Sequence, residues 1–278
     1  MKYFSHLSIL LISISAFSQG PWTKEKGSYY SQLSYTTIQN YSNLFGDPDY
    51  TTERKLTDNT FQFYGEYGFS DKLTLIVNLP LKLIKSGDLV VKENSSPATK
   101  AANETSLGNV EMGLKYNFYK KKWVLSGQFS LETSTGSFDT NSGIRTGYDA
   151  WSFTPLFLAG RSFDKFYLQT FVGGIFRTNG YSSNFKIGGE LGTKILKKIW
   201  LIGFVDIVKS FENGDIVLPT SNDLTGLYVN DQEYGSYGLK VIGVLTEDFG
   251  ITGGYGSAFF GNNVAKKIAL TMGVYYTF

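Results

Sequence analysis

The sequence has no cysteine, so neither disulfides nor thiol chemistry contribute to it. Its single histidine is His6, inside an N-terminal stretch that reads as a cleaved export signal. The rest of the chain therefore carries neither His nor Cys. That removes the Ser-His and Cys-His nucleophile arrangements and the usual nitrogen and sulfur metal ligands. An excess of one charge is missing too. Lys and Arg number 26 against 24 Asp and Glu, a balance that does not point to nucleic acid. No apolar run beyond the N-terminal stretch approaches the length of a membrane-spanning helix. No low-complexity linker divides the chain, and no repeat beyond a hairpin rhythm is visible.

The export signal is built from Lys2, which supplies the positive charge, and residues 7–17, an apolar run broken only by serines. Ala16 and Ser18 are the small residues a signal peptidase reads, which predicts cleavage before Gln19. The run is too short to span a bilayer as a helix. No cysteine follows it, so lipid attachment through cysteine is excluded. The expected organisation is a signal over 1–18 and one domain over 19–278.

Aromatics and glycine are plentiful: 19 Tyr, 22 Phe and 31 Gly. They fall in about twelve alternating segments of the period-two kind that outer-membrane strands show. The segments are 27–40, 59–69, 73–84, 107–118, 123–133, 148–160, 166–177, 185–196, 199–209, 234–245, 249–259 and 267–278. In 59–69, Phe61, Phe63, Tyr67 and Phe69 oppose Gln62, Tyr64, Glu66 and Gly68. In 107–118, Met112, Leu114, Tyr116 and Phe118 oppose Glu111, Gly113, Lys115 and Asn117. The facing of 166–177 is ambiguous, and 199–209 is apolar nearly throughout; Asp206 is placed inward there. Pro80 predicts a bulge within its strand.

Connector lengths alternate. Residues 70–72, 119–122, 162–165, 197–198 and 246–248 are short; 41–58, 85–106, 134–147 and 210–233 are long. Residues 178–184 and 260–266 are modest members of the longer set. Short turns at one end and long loops at the other predict an all-β, transmembrane, antiparallel up-and-down β-barrel of about twelve strands, with both termini periplasmic. A soluble sandwich would also alternate. Its apolar faces would need a partner sheet, and its long loops have no reason to gather at one end.

The last eight residues place Met272, Val274, Tyr276 and Phe278 on one face. Thr271, Gly273, Tyr276 and Phe278 match the outer-membrane assembly signal. The wider chain resembles transporter-type outer-membrane β-barrels of the phenol-degradation meta-pathway-like family. Gly20, Pro21 and Trp22 carry that resemblance, with Glu66 to Phe69 before a short turn, residues 75–81 around Pro80, and Leu107 to Val110. It implies a channel or transporter in the bacterial outer membrane. The implied partners are outer-membrane lipid, the barrel-assembly machinery and a small-molecule solute. The Tyr-, Phe-, Asn- and Lys-rich composition resembles Bacteroidota-type secreted sequences.

In such a barrel the lumen is the default site. Strand direction places Glu111, Glu190, Asp206 and Lys240 near mid-depth. Lys82, Glu132, Arg177, Lys186 and Lys267 fall toward the outside, and Glu66, Lys115 and Lys194 toward the periplasm. Both signs are interleaved. A wet passage of weak selectivity and an internal salt-bridge network filling a closed lumen both fit this pattern. Glu111 and Glu132 are the nearest thing to a catalytic carboxylate pair, but they are expected at different depths. The expectation is no enzyme, no cofactor and no metal. Gly253, Gly254 and Gly256 lack the Lys and the helix of a phosphate loop and read as wall glycines. Trp123, Tyr148, Trp151, Phe166, Trp200 and Phe278 are expected in the interfacial girdle. Asp47, Asp49, Asp215, Asn222 and Asp223 could supply oxygen ligands to calcium, without an ordered spacing.

Overall fold

A computed structural model describes residues 20–87 and 101–278, the side chains of Glu53 and Asp223 excepted. The expected export signal and its cleavage site lie outside the described residues, as does most of the 85–106 connector.

The chain forms strands β1 Tyr29–Phe45, β2 Tyr50–Ser70, β3 Leu73–Ser86, β4 Ala102–Leu107, β5 Glu111–Lys120, β6 Val124–Glu132, β7 Ser152–Ser162, β8 Phe166–Arg177, β9 Asn184–Leu196, β10 Ile199–Ser210, β11 Glu233–Val244, β12 Phe249–Asn262, β13 Val264–Ala265 and β14 Ala269–Thr277. β4 and β5 are two pieces of one stave, and β13 is a two-residue addition to the β1 edge. The result is a closed antiparallel barrel of 12 staves. Closure comes from β1, which pairs with β2 on one side and with β14 on the other, from Tyr30 opposite Thr277 to Thr37 opposite Leu270. A closed ladder leaves no free edge, so every strand can be paired without water.

Alternation decides which side chains meet the outside. Leu33, Phe61, Met112, Phe129, Leu191, Tyr237 and Met272 stand outward and exposed. Their neighbours Gln32, Lys115, Ser130 and Glu190 turn inward and are buried. An apolar exterior of this extent is the opposite of a soluble surface and suits lipid. The two ambiguous segments also resolve. Leu168 and Val172 of β8 face out, while Gln169 is buried. On β10, Val205 faces out, and Asp206 lines the interior as expected.

The 41–58 connector is shorter than expected. β1 and β2 run on to Phe45 and Tyr50. At 21 residues, β2 spans about 70 Å, more than twice a hydrocarbon core of about 30 Å. This hairpin therefore rises above the rim, and Tyr41, Leu44 and Leu56 give it a small core of its own. Pro80 stays in register with Gln62 of β2. The irregularity falls instead on the partner stave. Residues 108–110 of that stave span the gap facing Leu79 and Pro80, and Gly108 N–H donates to the Pro80 carbonyl at 2.8 Å. Proline has no N–H to offer the ladder, so the neighbour breaks where it would have been accepted.

β1 begins and β14 ends at the short-turn end, where the Tyr29 N–H donates to the Phe278 carbonyl at 2.8 Å. Among the described residues no helix is long and apolar enough to cross a membrane.

Candidate functional site in the barrel lumen

Three layers fill the lumen. At the short-turn end, residues 20–26 enter the barrel before β1 begins. Gly27 N–H donates to the Gly68 carbonyl at 2.8 Å and turns the chain inward. Thr23 Oγ1 then donates to the Asp71 carbonyl, and Lys24 N–H to Thr74 Oγ1, both at 2.8 Å. Ser126 Oγ donates to the Pro21 carbonyl, and the Trp22 ring stands edge-on to Tyr167 at 5.9 Å. The inward wall has room for this segment because of glycine. A Cβ on Gly160 would lie 2.8 Å from the Pro21 ring, and one on Gly68 would lie 1.9 Å from the Glu25 carbonyl oxygen. The segment is pinned by charge. Lys115 Nζ lies 2.9 Å from Glu66 Oε1, and Lys24 Nζ lies 3.7 Å from Glu66 Oε2. Tyr64 OH donates to the same carboxylate at 2.8 Å.

Above this layer is a cavity of about 350 Å³ bounded by β8 to β12, β14 and β1. Its charged lining is Lys186, Glu190, Asp206 and Lys240. Lys240 of β11 and Glu190 of β9 form an ion pair over the intervening β10, and Gln169 Nε2 donates to Glu190 at 2.9 Å. Two phenyl rings cover glycine patches of the wall. A Cβ on Gly188 would lie 2.5 Å from the Phe171 ring, and one on Gly238 would lie 2.5 Å from the Phe204 ring. Thr36 and Thr271 share a hydrogen bond of 2.9 Å across the closing seam.

At the long-loop end, residues 133–151 and 211–232 fold over the mouth. Arg145 Nε donates to Asn222 Oδ1 at 2.7 Å, and Thr225 Oγ1 to the Gly143 carbonyl at 2.8 Å. Ile84 of β3, Ile144 and Leu227 pack together beneath them. Tyr148 meets Tyr181 and Tyr228 edge-on, each at 5.2 Å, and the Arg177 guanidinium lies 4.1 Å from its ring centre. Burial pushes the Tyr148 phenol up to about 12, so at neutral pH it keeps its proton and donates to Gln232 Oε1.

The structure brings most of the expected lumen residues together. Glu66 meets Lys115, and Glu190 meets Lys240, while Asp206 and Lys186 share the cavity. Lys82 pairs at 3.1 Å with Asp58, a residue the sequence pattern places in the 41–58 connector. Arg177 Nη1 donates to the Ser182 carbonyl at 3.0 Å. Glu111 and Glu132 are direct cross-strand partners rather than residues at different depths. Asn78 donates to Glu111 at 3.4 Å and Asn109 to Glu132 at 3.0 Å. Lys267 is exposed in the turn before β14 and is not held inside, whereas Lys194 shares the inward face of β9 with Glu190 and lies at the opposite rim, its ammonium 5.8 Å from the ring centre of Trp200. Two girdle expectations fail as well. Trp200 packs inward on the Tyr30, Ile202, Ile242 and Tyr275 cluster, and Tyr148 belongs to the loop cover. Trp123, Trp151, Phe166 and Phe278 are exposed as a girdle requires. Of the loop acids, Asp49 is taken by Lys266. No acidic or His/Cys cluster fit for a metal occurs among the described residues.

Periodicity carried no trace of the N-terminal segment or of Phe171 and Phe204. The glycines that face the two rings were the available signal.

No family model and no curated protein sequence matches the chain. Solved structures do match it. The crystal structure of an outer membrane channel from Pseudomonas putida F1 superposes with a TM-score of 0.70 at 13% identity, covering 95% of this chain and 100% of that one. The translocator domain of the autotransporter NalP from Neisseria meningitidis gives 0.57 at 14% identity, over 92% and 90%. The KdgM porin in complex with disordered oligogalacturonate gives 0.50 at 9% identity, over 90% and 99%. At these identities the likeness is one of fold. The chain has the fold of a bacterial outer-membrane barrel, in agreement with the resemblance to transporter-type barrels.

Proposed function

We propose that the chain is an outer-membrane channel that admits small solutes through its lumen. The observation that carries this reading is the cavity of about 350 Å³ held inside a polar lumen, on a barrel whose outer face is apolar. Water and a small solute fit within, while lipid meets only the outside. The Pseudomonas protein is an outer membrane channel and KdgM a porin, which supports the same role for this chain.

In the membrane, the short-turn end with both termini faces the periplasm. The chain reaches it through a cleaved N-terminal signal and the barrel-assembly machinery. The lumen binds and passes solutes without chemical change; with no His or Cys after His6, its carboxylates and ammonium groups serve as a charge lining. A second reading, a non-conducting barrel of structural or assembly role, is favoured by one observation: residues 20–26 fill one end of the lumen and two loops cover the other.

Single-channel recording of the purified protein in planar bilayers separates the two. Discrete conductance steps in potassium chloride support the channel. A folded, inserted barrel that stays silent at every voltage, with and without residues 20–26, supports the second reading.

A further inference from the structure

We infer that the mid-lumen cavity is a binding site for a small zwitterion with an apolar body, of the chemistry of a hydrophobic α-amino acid. The inference deepens the channel reading by naming the solute class.

Its basis is one charge of each sign without a direct ion-pair contact among the described residues, over an apolar floor, with the Lys186 and Lys240 ammonium groups facing Asp206 from beyond that contact. Lys240 is neutralised by Glu190. Lys186 is not: its ammonium lies 5.4 Å from the Phe171 ring centre and takes no carboxylate as an ion-pair partner among the described residues. Asp206 is the complement. Its Oδ1 is buried and has no hydrogen-bond partner, and Thr252 Oγ1 is in the same state. All three line one cavity with Phe171 and Phe204. A buried acceptor without a donor is a standing desolvation cost, and a ligand that brings the donor relieves it.

The placement of the two charges on one inward face then selects the ligand. Asp206 stands opposite Gly188 on the β9–β10 ladder, and Lys186 is two residues further along the same inward face. Such diagonal positions are about 7–8 Å apart. Both side chains reach into the one cavity, where an ammonium and a carboxylate carried on one carbon can meet the two of them together, each at hydrogen-bond length. The ammonium donates to Asp206 Oδ1 and the carboxylate accepts from Lys186 Nζ. The apolar body lies on the phenyl faces. An anion without an amine would face the Asp206 charge unrelieved, and an amine without a carboxylate would face Lys186. A cavity of this volume holds a solute of amino-acid size.

Calorimetric titration of the purified barrel in detergent tests this with three probes: L-phenylalanine, 3-phenylpropionate and phenethylamine. Phenylalanine is expected to bind saturably and the other two at least about tenfold more weakly. Lys186→Met and Asp206→Asn should each weaken phenylalanine by about tenfold or more. Asp206→Asn should not weaken phenylpropionate, and Lys186→Met should not weaken phenethylamine. Retained heat-modifiable migration on gels verifies the fold of each variant; Thr252→Val, a milder change, should weaken phenylalanine only a few-fold. Three outcomes overturn the inference: no saturable phenylalanine binding, phenylpropionate binding as tightly as phenylalanine, or Asp206→Asn leaving phenylalanine unaffected. The last would mean that Lys186 and Asp206 neutralise each other. Ion conductance in bilayers is a separate measurement. A barrel that conducts but ignores phenylalanine loses only this inference, and one that binds it but never conducts loses only the channel.

Discussion

The Lys115 ammonium and the Glu66 carboxylate meet at 2.9 Å inside the barrel, with side-chain exposures of 1% and 0%. Such a pair is costly to break one-sidedly, because the surviving charge stays buried without its partner. Lys115→Met should destabilise the barrel by about 3–5 kcal/mol. The double variant Lys115→Met/Glu66→Leu should recover a large part of that loss, though Lys24 and Tyr64 lose their partner in Glu66 as well. Guanidinium unfolding in micelles, followed by tryptophan fluorescence, gives both numbers. A double variant no more stable than Lys115→Met would show that packing rather than charge holds this layer.

The same layer predicts how the lumen opens. Residues 20–26 fit against Gly160 and Gly68, where a Cβ would strike Pro21 and the Glu25 backbone. Gly160→Leu should push the segment out of the lumen while leaving the β7 ladder intact, because the side chain points inward and the backbone bonds are unchanged. Single-channel conductance should rise toward that of a chain starting at Gly27. Protease should also cut the Gly160→Leu variant near Trp22, a site shielded in the parent. Unchanged conductance in both variants would move the constriction to the loop cover.

Most of the staves were legible because lipid imposes the pattern. A strand with oil on one side and water on the other must alternate, and the 59–69 and 107–118 segments do. Where that constraint lapses, the pattern does too. The upper parts of β1 and β2 rise past the rim, so Asn43 and Thr51 have no reason to alternate with greasy neighbours, and 41–58 read as loop. The interior is less legible again. Trp200 and Tyr148 are aromatic like the girdle, but inward packing at the filled ends uses aromatics as well. Residues 20–26 have no strand period at all, since their hydrogen bonds go to side chains and turn carbonyls. Charge pairing across staves, such as Lys240 with Glu190, depends on register that one sequence does not print.

Glu111 and Glu132 face each other directly on β5 and β6. Like charges in that position destabilise a ladder, whereas Asn78 and Asn109 each offer one donor in compensation. Glu111→Gln removes the repulsion and keeps an acceptor. It should leave stability unchanged or raise it by about 0.2–1 kcal/mol at neutral pH. A clear loss of stability in the same guanidinium assay would mean that the two carboxyls already share a proton.

Acid should loosen the loop cover. The Asp139 carboxylate accepts from Ser142 Oγ and from the Asn141 N–H at 3.1 Å, and these bonds hold its pKa below the usual 3.8. A carboxylate whose folded value is depressed contributes stability that is fully present above its unfolded value. That contribution disappears as pH falls through the folded value, so the 133–151 loop should lose order below about pH 3.8. Trp151 stands at the base of this loop and reports on it by fluorescence. Asp139→Asn should flatten the acid transition. A transition of equal size in that variant would assign it to another group.

The C-terminal residue separates assembly from stability. Phe278 stacks on Tyr29 at 5.5 Å, and the two residues exchange backbone bonds of 2.8 and 3.0 Å at the closing seam. The Phe278 side chain is nevertheless 70% exposed, and its backbone bonds survive any side-chain change. Phe278→Ala should therefore cost the finished barrel no more than about 1.5 kcal/mol, the scale of one exposed aromatic pair. Gly273 differs. A Cβ there would lie 2.7 Å from the Leu33 carbonyl oxygen of β1, so Gly273→Val should hinder closure of β14 onto β1 itself. Refolding from urea into micelles and export in living cells give contrasting expectations. Phe278→Ala should refold like the parent and yet accumulate poorly in the outer membrane, as a residue read during assembly requires. Gly273→Val should fail in both settings. Equal accumulation of Phe278→Ala and the parent would reduce the terminal aromatic to one more member of the lipid-facing belt.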